Sequence, residues 1–550
     1  MKNPRLLQGL LLLHPLAFSI SPVLSLYAEN YGELHPELTL RSFLVVTAAT
    51  VLLLALLALL LRDGYRAAAV VAATAILFFS YGHVYASLET VHVLGIQLGR
   101  HRHLLPVYGL VWLGACWLIV RHVRAGFTIA RVLSVVALAM LLMSIGSLAS
   151  RMIKSSGPWG EPGAQAAGGE LLVAPEVVGK TPDIYYIILD GYGRSDVMLA
   201  RHGMDNRGFL HDLQASGFYV ADQSSANFMF TALSLASSLN MRFIPDLGIP
   251  LPFGSYPAVF AEPIQHSLVR YELEKLGYDT VALETGWLPT EVEDADHYLR
   301  AVSPDDRRFH QGGRLNAFET LLANSSGGLV VLDALGTERL SGWFRFRAAE
   351  PHDVLRTIVL GSFENLEASV ELPSPKFVFA HIVSPHGPYL FGADGEYLYP
   401  EGQFTLLDDA PAAASPSESV LYRDQARYIT LRIAATIDYI LENSKEPPII
   451  ILQADHGPGI GPGWRLPDGD TLWQRLAILN AYHLPYGCDR HLYPTITPVN
   501  TFRVVLSCYF GLDYPLMEDK TFFSYWPRDY AYAFIEVEVL ELQRQHPPTQ

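Results

Sequence analysis

The sequence predicts a chain of two unlike halves. Residues 1–150 read as a helical membrane domain of about five spans, and residues from 181 onward as an α/β domain with a mostly parallel sheet flanked by helices. Long apolar runs are confined to the first 150 positions of the 550. Beyond 180, short β-branched runs alternate with segments of helical spacing. Two of those runs end on an acid followed by glycine: TPDIYYIILDGYG around Asp190, and IIILQADHGPG around Asp455 and His456.

The membrane spans are expected at 6–26, 42–61, 67–88, 104–120 and 132–149, each apolar and close to the ~20 residues that cross a bilayer. The first run is too long for a cleaved signal peptide, and four more follow it. Lys2 and Arg5, then Arg62 and Arg66, then Arg121 and Arg124 mark one side as cytoplasmic, with Glu29, Glu33 and Glu37 in the first outer loop. Arg100 and Arg102 run against this bias. Five crossings leave the rest of the chain outside the cytoplasm, which predicts a multi-pass protein of the plasma or inner membrane. His14 and His83 lie inside spans without an acidic partner there, and read as neutral, helix-packed side chains.

A Gly-, Pro- and Ala-rich linker follows over 151–180, then the globular domain over 181–535 and a short tail over 536–550. Strands are expected at 184–189, 218–221, 280–283, 376–382 and 448–452. Helices are expected at 209–214, 267–276 and 421–441, and another beginning near Thr231. Such alternation argues for parallel strands with helices on both faces. Residues 288–370 show no clear order and read as an insertion that shapes access.

A formal net charge of −16 argues against a nucleic-acid partner, because phosphate binding needs a basic face. Three cysteines are too few for a disulfide framework. Cys488 and Cys508 can form one bridge in an oxidising compartment, but two buried free thiols are the expectation.

The candidate site follows from where strands end. In open α/β sheets ligands bind at the carboxyl ends of strands, where both acids arrive. Asp190 follows six apolar or aromatic residues, and a carboxylate buried there needs a hydrogen bond, a charge or a metal. Its plainer role is capping the helix beyond Gly191 and Gly193. Asp455 and His456 offer two ligand types on adjacent residues. In NFMFTALSLASSLNM, Thr231 stands at a helix start, either as a cap or as a nucleophile, with Ser234 one turn on. His381 and His386 in FAHIVSPHGPY stand at or just past a strand end, where an imidazole contacts substrate or moves a proton.

The order Asp190, Thr231, His386, Asp455-His456 resembles the sulfatase-like branch of the alkaline phosphatase superfamily. The layout is most similar to the membrane-bound phosphoethanolamine transferases and lipoteichoic acid synthases, which have five spans before an extracytoplasmic sulfatase-like domain. The tail RLAILNAYHLP…YPTITPVNTFRVVLSCYFG fits as well. The resemblance implies an alkaline-phosphatase-like fold, a divalent metal on Asp190, Thr231, Asp455 and His456, and Thr231 as nucleophile. It also implies substrate contact through His386, with His381 and Ser234 as further substrate-binding candidates. Formylglycine sulfatases carry a cysteine in Cys-x-Pro-Ser-Arg; the stretch here is Thr231-Ala-Leu-Ser234-Leu235, so sulfate-ester hydrolysis by that route is not expected. The transferases usually have a first-strand glutamate and further histidines after Asp-His-Gly; this chain has Asp190, then Trp464 and Arg465.

The expected activity is transfer of a phospho-alcohol group from a membrane lipid to an extracytoplasmic lipid or glycan acceptor. The alternatives are an ester hydrolase with water as acceptor, or a non-catalytic ligand-binding membrane protein. The mixed oxygen and nitrogen ligands suit manganese or zinc, with magnesium or calcium as further candidates.

Overall fold

The computed structural model describes residues 12–32, 34–88, 91–93, 96–122, 126–155, 179–252, 255–301, 315–336, 351–398, 416–459, 469–525 and 532–538. The chain divides into two compact units, Met1–Ile153 with Pro304–Pro351, and Lys154–Ser303 with His352–Gln550.

The first unit is helical: His14–Glu29, Leu40–Leu61, Gly64–Leu88, His101–His122 and Gly126–Ser155. Among the described residues, four helices are long and apolar enough to cross a membrane: Pro36–Leu61, Gly64–Leu88, His101–His122 and Phe127–Lys154. The expected first span, 6–26, falls partly on residues outside those described. Its described part belongs to the 16-residue helix His14–Glu29. Small polar side chains link the helices, as between Ser25 Oγ and Ser144 Oγ at 2.8 Å. His14 packs edge-on against Phe18.

The second unit is built on a seven-stranded sheet. Its strands are β1 (Ile184–Leu189), β2 (Tyr219–Val220), β3 (Asp279–Leu283), β4 (His297–Leu299), β5 (Lys376–Ile382), β6 (Ile449–Gln453) and β7 (Asn480–His483), in the order β2-β7-β6-β1-β5-β3-β4. Only β7 runs against its neighbours; the pairs β1–β5, β1–β6, β3–β5 and β3–β4 are parallel. Every residue of β1, β5 and β6 is buried, which explains the apolar runs IYYIIL, FVFA and IIIL within them. Each buried Ile or Val there adds roughly 1.5–3 kcal/mol. The helix Pro416–Asn443 covers the core with Tyr422, Ala426, Ile429, Ile433, Ile437 and Ile440, spaced three and four apart on one face. Ser267 caps the helix Leu268–Lys275 by accepting from Arg270 N at 3.3 Å.

The structure corrects two expectations. Cys488 and Cys508 are joined in a disulfide, their Cα atoms 6.0 Å apart, where two free thiols were expected. The helix Pro498–Phe510 carries Cys508 back over the turn Cys488–His491, an approach that a spacing of 20 residues does not announce. The described residues within 288–370 also hold regular elements where none was expected. They include β4 and the helices Ala317–Asn324, Gly328–Gly336 and Pro351–Ser369. A three-residue strand and two helices of eight and nine residues are too short for a periodic pattern to stand out.

Candidate active site

Three adjacent parallel strands deliver the candidate residues to one edge of the sheet. Ile188 of β1 pairs with His381 of β5 and with Gln453 of β6, so Asp190 and Asp455 leave the sheet level with each other. Asp190 N donates to Ile382 O at 3.0 Å, and His386 N to Asp190 O at 2.9 Å, which folds the β5 loop back over the carboxylate. Gly191 has φ +75, a left-handed turn that a side chain would strain. Its N–H donates to Asp455 Oδ1 at 3.1 Å, joining the β1 and β6 loops. Gly457 admits no side chain: a Cβ there would stand 2.1 Å from Gln474 O.

The ionisable groups converge. His381 Nε2 lies 3.3 Å from Asp190 Oδ2, and His456 Nε2 lies 3.5 Å from Asp190 Oδ1 and 3.3 Å from Asp455 Oδ2. One ligand atom each from Asp190, His381 and Asp455 falls within 4.8 Å of the others. All four side chains are buried. No hydrogen bond reaches Asp190 Oδ1, Asp455 Oδ2 or His381 Nε2. Buried carboxylate oxygens left this way are costly unless a cation completes them, so the residues fit a divalent metal. Burial pushes the Asp190 carboxyl up, but the imidazoles of His386, His381 and His456 outweigh it and hold the group at about 2.

The imidazole tautomers follow from the partners. Nδ1–H of His456 donates to Gly457 O at 2.9 Å, which leaves Nε2 as the lone-pair atom facing the carboxylates. His381 is fixed by Thr290, whose Oγ1 is 3.1 Å from Nδ1. His386 is half-buried at the rim, its ring 6.1 Å from that of His456, with Nδ1–H donating to Gly387 O at 2.6 Å.

Thr231 opens the helix Thr231–Asn240 behind the extended residue Phe230. No side chain caps this helix; the Thr231 hydroxyl lies 3.0 Å from His456 Nε2 instead. The first turn's unpaired N–H groups favour an anion at the same place. Ser234 does not join the cluster: it is buried and donates to Phe228 O at 2.8 Å, bracing the turn into the helix. His381 is sealed in the floor, where it steadies Asp190, and only His386 stands at the rim.

Sequence reasoning missed Arg475. This buried guanidinium donates from Nη2 to His456 Nε2 at 3.1 Å and from Nε to Met229 O at 2.7 Å, and sits over the Phe230 ring. It ties the Asp455–His456 loop to the residues before Thr231. The signal was an arginine opening the apolar run RLAILNAYHLP. Tyr422 was missed too; its hydroxyl donates to Gly191 O at 2.8 Å and accepts from Gly193 N at 3.2 Å. Trp464 and Arg465 lie outside the described residues.

No family model matches the sequence, and no curated protein matches it. Solved structures do. The chain is similar to the C-terminal periplasmic domain of EptC from Escherichia coli in complex with Zn, at 13% identity over 66% of this chain and 94% of that one, TM-score 0.40. It is similar to the integral membrane protein lipooligosaccharide phosphoethanolamine transferase A (EptA) from Neisseria meningitidis, at 12% identity over 91% and 95%, TM-score 0.39. It is also similar to a 2-O GAG sulfatase, at 13% identity over 61% and 72%, TM-score 0.36.

Proposed function

We propose that this chain is a membrane-bound, metal-dependent, sulfatase-like enzyme that transfers a phospho-alcohol group from a lipid to an extracytoplasmic acceptor, with Thr231 as nucleophile. One observation carries the reading. The Thr231 hydroxyl, at a helix N-terminus, lies 3.0 Å from His456 Nε2 beside two buried carboxylates. Asp190 and Asp455 would hold the cation with Thr231, and His456 would join them by turning its Nε2 lone pair from Arg475 to the ion; His381 lies within reach of the two carboxylates. Carboxylates mixed with imidazole suit zinc or manganese; magnesium and calcium prefer oxygen alone. A divalent cation there lowers the pKa of the hydroxyl and offsets charge on the transferring group.

The chain's own residues do the rest. The Thr231 proton passes to solvent, and Oγ1 attacks phosphorus: the Oγ1–P bond forms and the P–O bond to the lipid alcohol breaks. The electron pair leaves with that oxygen, which takes a proton from His386 at the rim. The acceptor hydroxyl then gives its proton to His386 and its oxygen attacks phosphorus: the new O–P bond forms, the Oγ1–P bond breaks, and Oγ1 keeps the electron pair and takes a proton from solvent, which restores Thr231. Arg475 holds the two loops that carry Thr231 and His456.

The four membrane-capable helices support a lipid donor, because they tether the chain to the bilayer that holds it. A first span ending in the helix His14–Glu29 would make five crossings and put the globular half outside, as the Lys and Arg bias favours. The Cys488–Cys508 bridge is in keeping with that oxidising side. The test incubates the purified full-length protein with phospholipid labelled in its headgroup. Label on Thr231 that then moves to an added glycan supports the transferase. Release to water alone makes the chain a hydrolase, and no label on Thr231 removes the covalent route.

A further inference from the structure

The chain leaves the globular unit after Ser303 and rejoins it at His352, and the segment between belongs to the unit of membrane-capable helices. We infer that residues 317–336 are a lipid-facing insertion, packed on the outer ends of three membrane helices and in contact with acyl chains of the extracytoplasmic leaflet. The inference rests on the membrane reading above.

The attachment is specific. Asn316 and Glu319 form a capping box on the helix Ala317–Asn324, and Asn316 Nδ2 donates to Leu38 O at 2.9 Å. The Glu319 carboxylate also takes both arms of the Arg41 guanidinium. Phe318 is fully buried with Val23, Leu38 and Leu322, its ring edge-on to Tyr27. Gly327 N donates to Phe78 O at 2.7 Å. Gly82 lets the Asn324 carbonyl approach so closely that a Cβ there would stand 2.1 Å from it.

The depth follows from helix geometry. In the helix Gly64–Leu88, Phe78 and Gly82 lie ten and six residues before the end, or about 9–15 Å at the α-helical rise. That end is the outer one, because Arg62 and Arg66 mark the other as cytoplasmic. An element seated there lies at the level of the outer leaflet's acyl chains.

Its composition suits that level. Between 317 and 336 the only charged residues are Glu319 and Asp333. The nine-residue helix Gly328–Gly336 spans about 13 Å, too short to cross but long enough to lie in one leaflet. Val331 on it is 56% exposed, and Phe78 beside Gly327 is 45% exposed, so the apolar surface of the membrane helices continues onto the insertion. Acyl chains are the occupant that covers both without a break.

The test places a bimane fluorophore at Val331→Cys in the full chain carrying Cys116→Ser, reconstituted into phosphatidylcholine vesicles. A second sample carries the probe at Leu52→Cys, 69% exposed on the helix Leu40–Leu61. Brominated acyl chains should quench both positions to within about twofold, and aqueous iodide should quench neither. Iodide quenching at 331 with lipid quenching kept at 52 overturns the insertion while the membrane reading stands. Iodide quenching at both positions overturns the two together.

Discussion

The hydroxyl of Thr231 lies 3.0 Å from Nε2 of His456, although 225 residues separate them in the chain. The contact sets the two roles of Thr231 apart. A capping threonine would aim its oxygen at its own helix's N–H groups, and this one faces an imidazole flanked by two carboxylates.

Thr231→Ser keeps a hydroxyl and should retain partial activity. Thr231→Ala should lose more than the ~10²–10⁴-fold typical of acid–base groups, yet still bind metal through the remaining ligands. A cap alone would show a stability loss of about 1 kcal/mol with turnover preserved. Melting temperature and turnover on a chromogenic phosphodiester decide between them, and an active alanine variant removes Thr231 as nucleophile.

Asp455→Asn and His456→Ala should each abolish bound zinc or manganese, measured by elemental analysis of the purified protein, and activity with it. Circular dichroism should show the fold retained. Full metal content in either variant would mean that the cation sits elsewhere.

Arg475 positions His456 and the Met229 carbonyl through separate nitrogens. Arg475→Lys should therefore lower kcat by roughly 10–100-fold with KM little changed, in line with losing one hydrogen bond to a charged or polar partner at ~1.5–3 kcal/mol. A melting temperature that falls while kcat holds would reduce Arg475 to a structural support.

Glu291, next to the Thr290 that fixes His381, gives a pH signature of its own. Burial pushes its carboxyl up to about 7, against hydrogen bonds from Tyr298 Oη and the Gly286 and Thr285 amides and with Glu293 adding repulsion. A carboxyl raised in the fold binds more protons folded than unfolded between its ordinary range and that value. Stability should therefore fall as pH rises from ~4.5 to 7 and level off above. In Glu291→Gln that slope should flatten in thermal melts at stepped pH; an unchanged slope assigns it to another group.

Much of this was legible in the chain. Strands β1, β5 and β6 stand out because both sheet faces are covered, so IYYIIL, FVFA and IIIL run apolar where alternation would otherwise appear. The four membrane-capable helices among the described residues stand out for a similar reason: a span of about 20 residues in lipid is apolar and almost free of charge. Strand β4, three residues long, and β7, which runs antiparallel, carry no such pattern and are defined by their neighbours. Arg475 was hidden because a buried arginine obeys no spacing rule; only its partners, Met229 and His456, explain it.

The two unlike halves, the acids at the strand ends and the residue types available for chemistry could be read along the chain. These depend on local hydrophobic pattern and on what one side chain can do. Tertiary structure alone decided that His381 faces Asp190 from the floor while His386 stands at the rim, and that Cys488 meets Cys508. It also decided that residues 317–336 pack on Leu38, Arg41 and Phe78. Each of these is a meeting of positions distant in the chain. Such meetings are set by the order of strands in the sheet and the return of the chain between its units, which no local window of sequence records.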